Sequence, residues 1–172
     1  MQLVHYTATS MAIALGTRAI PQSGRRHDKP DGLWVSVGDS WRQWCEAEEY
    51  AEFGSLSKER GLRAAGIRVF EITPSPNAKL LVLSTSLGLD AFTRKYRDSD
   101  DRYAAIEWKS VAEIYDGIII APYQWSRRHE HMWYYPWDCA SGCIWNHRAI
   151  ESAREIEGDE VARDDLFAEV AA

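Results

Sequence analysis

Apolar and polar positions alternate in short stretches along this chain, and several of those stretches read as strands. Residues 3–6 open it with a brief apolar run, and residues 32–37 (GLWVSV) are rich in β-formers. Residues 67–73 (IRVFEIT) alternate and end at Pro74 and Pro76, while residues 80–83 (LLVL) and 117–122 (GIIIAP) are short continuous apolar runs. A last strand is expected around residues 143–145. Between them lie helical patterns: from Thr9 or Ser10 to about Thr17, residues 41–53 with Ser40 as a cap and Gln43 three residues on, residues 87–96, and residues 103–115. Residues 22–31 are polar, with Gly, Pro and basic residues, and read as a loop. Strands and helices mix without regular βαβ alternation, which predicts an α+β fold rather than a doubly wound sheet. With 172 residues and no internal repeat, one domain is expected over residues 1–150. Residues 151–172, acidic and Ala-rich, are expected to form a C-terminal helix or frayed tail.

Charge and composition narrow the function classes. A formal net charge of -6 argues against a broad electrostatic footprint on nucleic acid, which needs clustered Lys and Arg. The N-terminus lacks a basic segment followed by a long apolar one, and no apolar run reaches membrane-spanning length, so a cytoplasmic protein without a membrane partner is expected. Three cysteines, Cys45, Cys139 and Cys143, fit a reducing compartment. Eight Trp and eight Tyr are the unusual feature; indoles in excess either fill a core or offer faces on which a flat ring stacks.

Several common chemistries lack their sequence support. There is no GxxxxGK[ST] loop, no GxGxxG after a strand, no HExxH and no GxSxG. Cys139, Cys143 and His147 recur at spacing four, with His129 and His131 upstream, but in a strand that spacing holds the side chains too far apart for one ion. No metal site is expected, and the cysteines read as free thiols.

The opening LVHYT, the GLWVS strand running into a helix with Trp41 and Trp44, and the late WDCASGCIWN form an ordered set. That order resembles the ADP-ribosyltransferase superfamily, in the His-Tyr-acid branch of diphtheria-toxin-like and poly-ADP-ribose-polymerase-like enzymes. The resemblance runs loosely from residue 3 to about 150. It implies a split mixed β-sheet core flanked by helices, NAD as co-substrate, and transfer of ADP-ribose to a protein or nucleic-acid acceptor with release of nicotinamide. On this likeness His5, Tyr6 and Thr7 form the opening NAD-binding motif, and His5 and Thr7 would hydrogen-bond a ribose or the nicotinamide amide. Gly32, Leu33, Trp34 and Ser36 match the second motif, and Trp41 and Trp44 lie on the helix after it. Trp34 and Trp44 stand where the family's tyrosines sandwich the nicotinamide ring. The family's late carboxylate corresponds to Asp138 or, nearer the aligned position, Ser141. Trp thus replaces Tyr, and Asp or Ser replaces Glu. The stretch YDGIIIAPY resembles a turn that precedes the last motif in such enzymes, and Asp116 reads as a turn residue.

Two other functions fit parts of the chain. An NAD-dependent RNA 2′-phosphotransferase would use Arg25, Arg26 and His27 to grip a phosphate. A non-catalytic binding module would present Trp125, Trp133, Tyr134, Tyr135 and Trp137 as an exposed aromatic face.

Overall fold

A computed structural model describes residues 1–8, 15–16, 18–23, 29–48, 66–98 and 105–163. Seven strands form one mixed sheet: β1 (Leu3–Ala8), β2 (Leu33–Val37), β3 (Ile67–Pro74), β4 (Leu80–Leu83), β5 (Gly117–Ile120), β6 (Ser141–Ile144) and β7 (Ile150–Ile156), in the spatial order β4-β5-β6-β2-β1-β3-β7. Of the neighbouring pairs in this sheet, only β4 with β5 is parallel. Among the described residues three helices accompany them: α1 (Ser40–Ala47), α2 (Ser86–Tyr96) and α3 (Trp108–Ala112). The fold is α+β, as the pattern predicts. Of the helix expected from Thr9 or Ser10 to Thr17 all but residues 15–16, and the centre of the loop after Gln22, lie outside the described residues. No helix among the described residues is long and apolar enough to cross a membrane.

The middle of the sheet is its narrowest join. β1 and β2 pair through Leu3 with Val37 and Val4 with Ser36, and the register goes no further. β1 instead continues along β3 through five residue pairs, and β2 along β6 through four. Past Val4 the two central strands therefore diverge, and the gap between them is bridged by a side chain rather than by ladder bonds. This divergence positions the site described below.

Most of the core lies around β4, β5, β6 and β2. Ile118, Ile119 and Ile120 of β5 are buried on both faces, which explains their unbroken apolar run. Against this sheet packs an aromatic cluster of Phe92, Tyr96, Trp108, Trp133, Trp137 and Trp145, with neighbouring rings at centroid distances of 5.1–6.4 Å. Buried indoles need a partner for their N–H. Trp133 donates to Thr93 Oγ1 at 3.0 Å and Trp145 to the Tyr115 carbonyl at 2.6 Å. Half of the eight indoles, Trp108, Trp133, Trp137 and Trp145, are thus buried in the core. Gly142 fits here because a Cβ would come within 2.6 Å of the Ile118 carbonyl oxygen across the ladder.

Asp116 has the architectural role its turn position predicts. Its carboxylate accepts from the Lys79 amide at 2.8 Å and from Asn146 Nδ2 at 2.7 Å, while its carbonyl accepts from the amides of Trp145 and Asn146. One residue thereby ties the ends of β4, β5 and β6.

Three local expectations are corrected. Residues 150–156 are an edge strand, not a helix or tail: β7 pairs with β3 through six residue pairs, and salt bridges from Arg154 to Glu71 and from Arg68 to Glu155, both 2.7 Å, cross that ladder. Ser40 does not cap α1. The capping position is Asp39, the Trp41 amide is satisfied by Ser36 Oγ at 3.0 Å, and Ser40 donates to the Ala140 carbonyl at 2.6 Å. Within the described part of the span expected as helix, residues 105–115, helix covers only Trp108–Ala112, because Ile106 forms a β-bridge with Arg97.

Candidate active site

Where β1 and β2 part, a cavity of about 240 Å³ opens, lined by His5 and Tyr6 of β1, Trp34 and Ser36 of β2, Trp41 of α1, and Asp138 and Ser141. Those seven belong to the residues singled out from the sequence, and they come from four separate parts of the chain. The lining is completed by Val4, Lys29, Val35, Trp137 and Cys139.

His5 makes the bridge across the diverging strands. Its Nδ1 lies 2.7 Å from the Trp34 carbonyl oxygen. A carbonyl can only accept, so Nδ1 carries the proton, and neutral His5 keeps a lone pair on Nε2. The strand separation thus yields a fixed imidazole tautomer at the cavity wall.

Asp138 sits at the opposite end of the chemistry. It follows the 3-10 turn Tyr135–Trp137 and precedes β6, with φ 64° and ψ -36°. The Cys139 amide donates back to the Trp137 carbonyl at 2.7 Å, so Asp138 is the central residue of a γ-turn with positive φ. This conformation is rare and strained for a residue with a Cβ, costing on the order of 1–3 kcal/mol. The carboxylate is held by Arg128 Nη2 at 3.1 Å, with Asp138 25% exposed and Arg128 19% exposed. Arg128 in turn lies over the rings of Trp125 and Tyr135, at 5.8 and 5.2 Å from their centroids.

Aromatic rings supply most of the remaining wall. Tyr6 and Trp41 lie 5.3 Å apart at 41°, and the Trp137 edge meets Trp34 at 4.9 Å and 65°. Lys29 Nζ stands over the Trp34 ring at 5.0 Å. Burial pushes the Tyr6 hydroxyl well above the usual phenol range, so it remains protonated at neutral pH.

The hydroxyls of Ser36 and Ser141 are committed to structure. Ser36 Oγ donates to the Gly38 carbonyl at 3.0 Å, accepts from the Trp41 amide and lies 3.1 Å from Ser40 Oγ. Ser141 Oγ donates to the Cys139 carbonyl at 3.0 Å. Their role is to seat α1 and the approach to β6 around the cavity. Of the two positions proposed for the late acid, only Asp138 offers charge.

Four residues matched by the resemblance lie elsewhere. Thr7 pairs with Arg68 across β1 and β3 and does not line the cavity. Gly32 is a close-approach glycine, since a Cβ there would meet Cys143 Sγ at 2.6 Å and the Ile144 oxygen at 2.8 Å. Leu33 pairs with Ile144 and packs on the core. Trp44 is on α1 but outside the lining; Trp41, one helical turn earlier, is in it. Of the five lining residues that sequence reasoning did not assign to the site, Trp137 and Lys29 bring an aromatic ring and a charge to it. Trp137 adjoins Asp138 in the chain, and that adjacency was the available signal.

Other candidates resolve differently. Cys139 and Cys45 are buried, and burial pushes their thiols up to about 12 and about 11, so neither is a thiolate nucleophile at neutral pH. No group of three or more His, Cys, Asp or Glu among the described residues could hold a metal ion. The aromatic segment does not form one exposed face: Trp133, Tyr134 and Trp137 are buried, leaving Trp125 and Tyr135 exposed. Arg25, Arg26 and His27, required for the phosphotransferase alternative, lie outside the described residues.

Comparison with protein-family models, characterised proteins and solved structures finds no match for this chain.

Proposed function

We propose that this chain is an NAD-consuming mono-ADP-ribosyltransferase that passes ADP-ribose to a protein or nucleic-acid acceptor and releases nicotinamide. One observation carries the reading: His5, Trp34, Trp41 and Asp138, distant in sequence, meet around a single cavity. The near-separation of the sheet between β1 and β2 supports an ADP-ribosyltransferase-like core.

The lining suits the substrate chemically. Indole faces attract a cationic pyridinium ring, and His5 Nε2 can accept a hydrogen bond from a ribose hydroxyl. The volume suits one ring and its ribose better than a whole dinucleotide, so the adenosine end would extend beyond the cavity. In the reaction, the bond between ribose C1′ and the ring nitrogen breaks with both electrons going to nitrogen. Positive charge builds on the ribose, and a fixed carboxylate beside it lowers the barrier. Asp138 has that role, with its orientation set by the γ-turn and by Arg128. The acceptor then adds to C1′ and loses its proton.

The test is to incubate the purified chain with NAD and candidate acceptors and quantify free nicotinamide, alongside calorimetry of NAD binding. Nicotinamide release by the parent chain, falling about 100-fold or more in Asp138→Asn with binding retained, is the expected result. Absence of both nicotinamide release and heat of NAD binding, with every acceptor tried, would overturn the proposal.

A further inference from the structure

The Trp34 ring already has a cation over one of its faces. Lys29 Nζ stands 5.0 Å from the ring centroid, and Lys29 is the one Lys or Arg lining the cavity among the described residues. Trp137 packs against the same indole in an edge-type contact, with 4.9 Å between ring centroids. Lys29 is exposed and its ammonium sits on a flexible four-carbon stem, so it can exchange between the ring and water at small cost. A planar ligand that stacks on Trp34 must displace it.

Charge decides the outcome of that competition. An indole face favours a cation over a neutral ring of the same shape. The pyridinium ring of NAD is cationic. Once the C1′–N bond breaks and its electron pair passes to the ring nitrogen, nicotinamide is neutral, and the positive charge has moved to the ribose, where the acceptor quenches it.

We propose that Lys29 is a ring-displacing residue: its ammonium yields the Trp34 face to a cationic ring and reclaims that face when the ring becomes neutral. This inference rests on the NAD-cleavage reading above. It assigns assistance to product release to a residue outside the recognised motifs, while the preference for a charged ring belongs to the Trp34 face. No movement of Trp34 is required, because one competitor's charge changes during the reaction.

Two small probes of similar shape test it: 1-methylnicotinamide, which is cationic, and nicotinamide, which is neutral. Binding of each to the intact chain is measured by calorimetry for the parent, Lys29→Met and Lys29→Arg. The parent is expected to prefer the cation. Lys29→Met should bind nicotinamide about three- to tenfold more tightly than the parent and be correspondingly more inhibited by it during turnover, and Lys29→Arg should restore parent-like weakness. If the probes bind but Lys29→Met holds nicotinamide no more tightly than the parent, the inference fails while the transferase reading stands. If NAD and both probes fail to bind the parent, both fall together.

Discussion

Arg128 Nη2 contacts Asp138 Oδ1 at 3.1 Å, joining a guanidinium flanked by two aromatic rings to a carboxylate on a strained γ-turn. The pair fixes the only carboxylate lining the cavity among the described residues. Its backbone geometry and its charge make separable contributions.

Substitution at Asp138 separates them. Asp138→Gly removes the Cβ that makes φ 64° costly and is expected to raise stability by about 1 kcal/mol while abolishing nicotinamide release. Asp138→Asn tolerates positive φ and should leave stability within about 1 kcal/mol of the parent with the same loss of activity. Thermal unfolding and the nicotinamide assay read the two effects. A glycine variant no more stable than the asparagine variant, which loses the same Arg128 ion pair, would show that the turn is not strained.

The aromatic segment divides into core and surface. Trp133 has no exposed surface and its indole N–H is bonded to Thr93, so Trp133→Ala should cost about 3–5 kcal/mol in chemical denaturation. Trp125 is 37% exposed, and Trp125→Ala should cost about 1 kcal/mol or less. Equal losses would mean that the segment does not pack as described.

Asp90 sets an acid limb of stability. The Arg127 guanidinium, bonded to it at 2.8 and 3.0 Å, holds its carboxyl below the usual carboxylate range, with a further contribution from His131 at 2.8 Å. A carboxyl depressed in the folded state contributes stability above its unfolded value of about 3.9, and that stability is lost as pH falls through the folded value. Asp90→Asn should therefore lower the melting temperature at pH 7 and narrow its gap to the parent below about pH 4. A gap independent of pH would rule out this ion pair as its source.

Sequence patterning located the central strands well because their apolar runs coincide with burial. Ile118, Ile119 and Ile120 are a clear case. β7 was illegible for the opposite reason. In IESAREI only Ile150 and Ile156 are buried, and the residues between them are charged or small. Their intrinsic preference is helical, but pairing to the open edge of β3 overrides it. At the cavity, residue types at motif positions were enough to choose His5, Trp34, Trp41 and Asp138. The sequence could not show that Trp41 rather than Trp44 faces inward, because one helical turn separates them and rotation about the helix axis is set by packing. Lys29 was invisible as a site residue because a lysine in a polar loop looks like any solvated charge.

The 2.6 Å bond from Ser40 Oγ to the Ala140 carbonyl joins the helix that carries Trp41 to the segment that follows Asp138. Two walls of the cavity that are far apart in sequence are thereby tied to each other directly, so a change that disturbs the seat of the helix is passed on to the approach to the carboxylate.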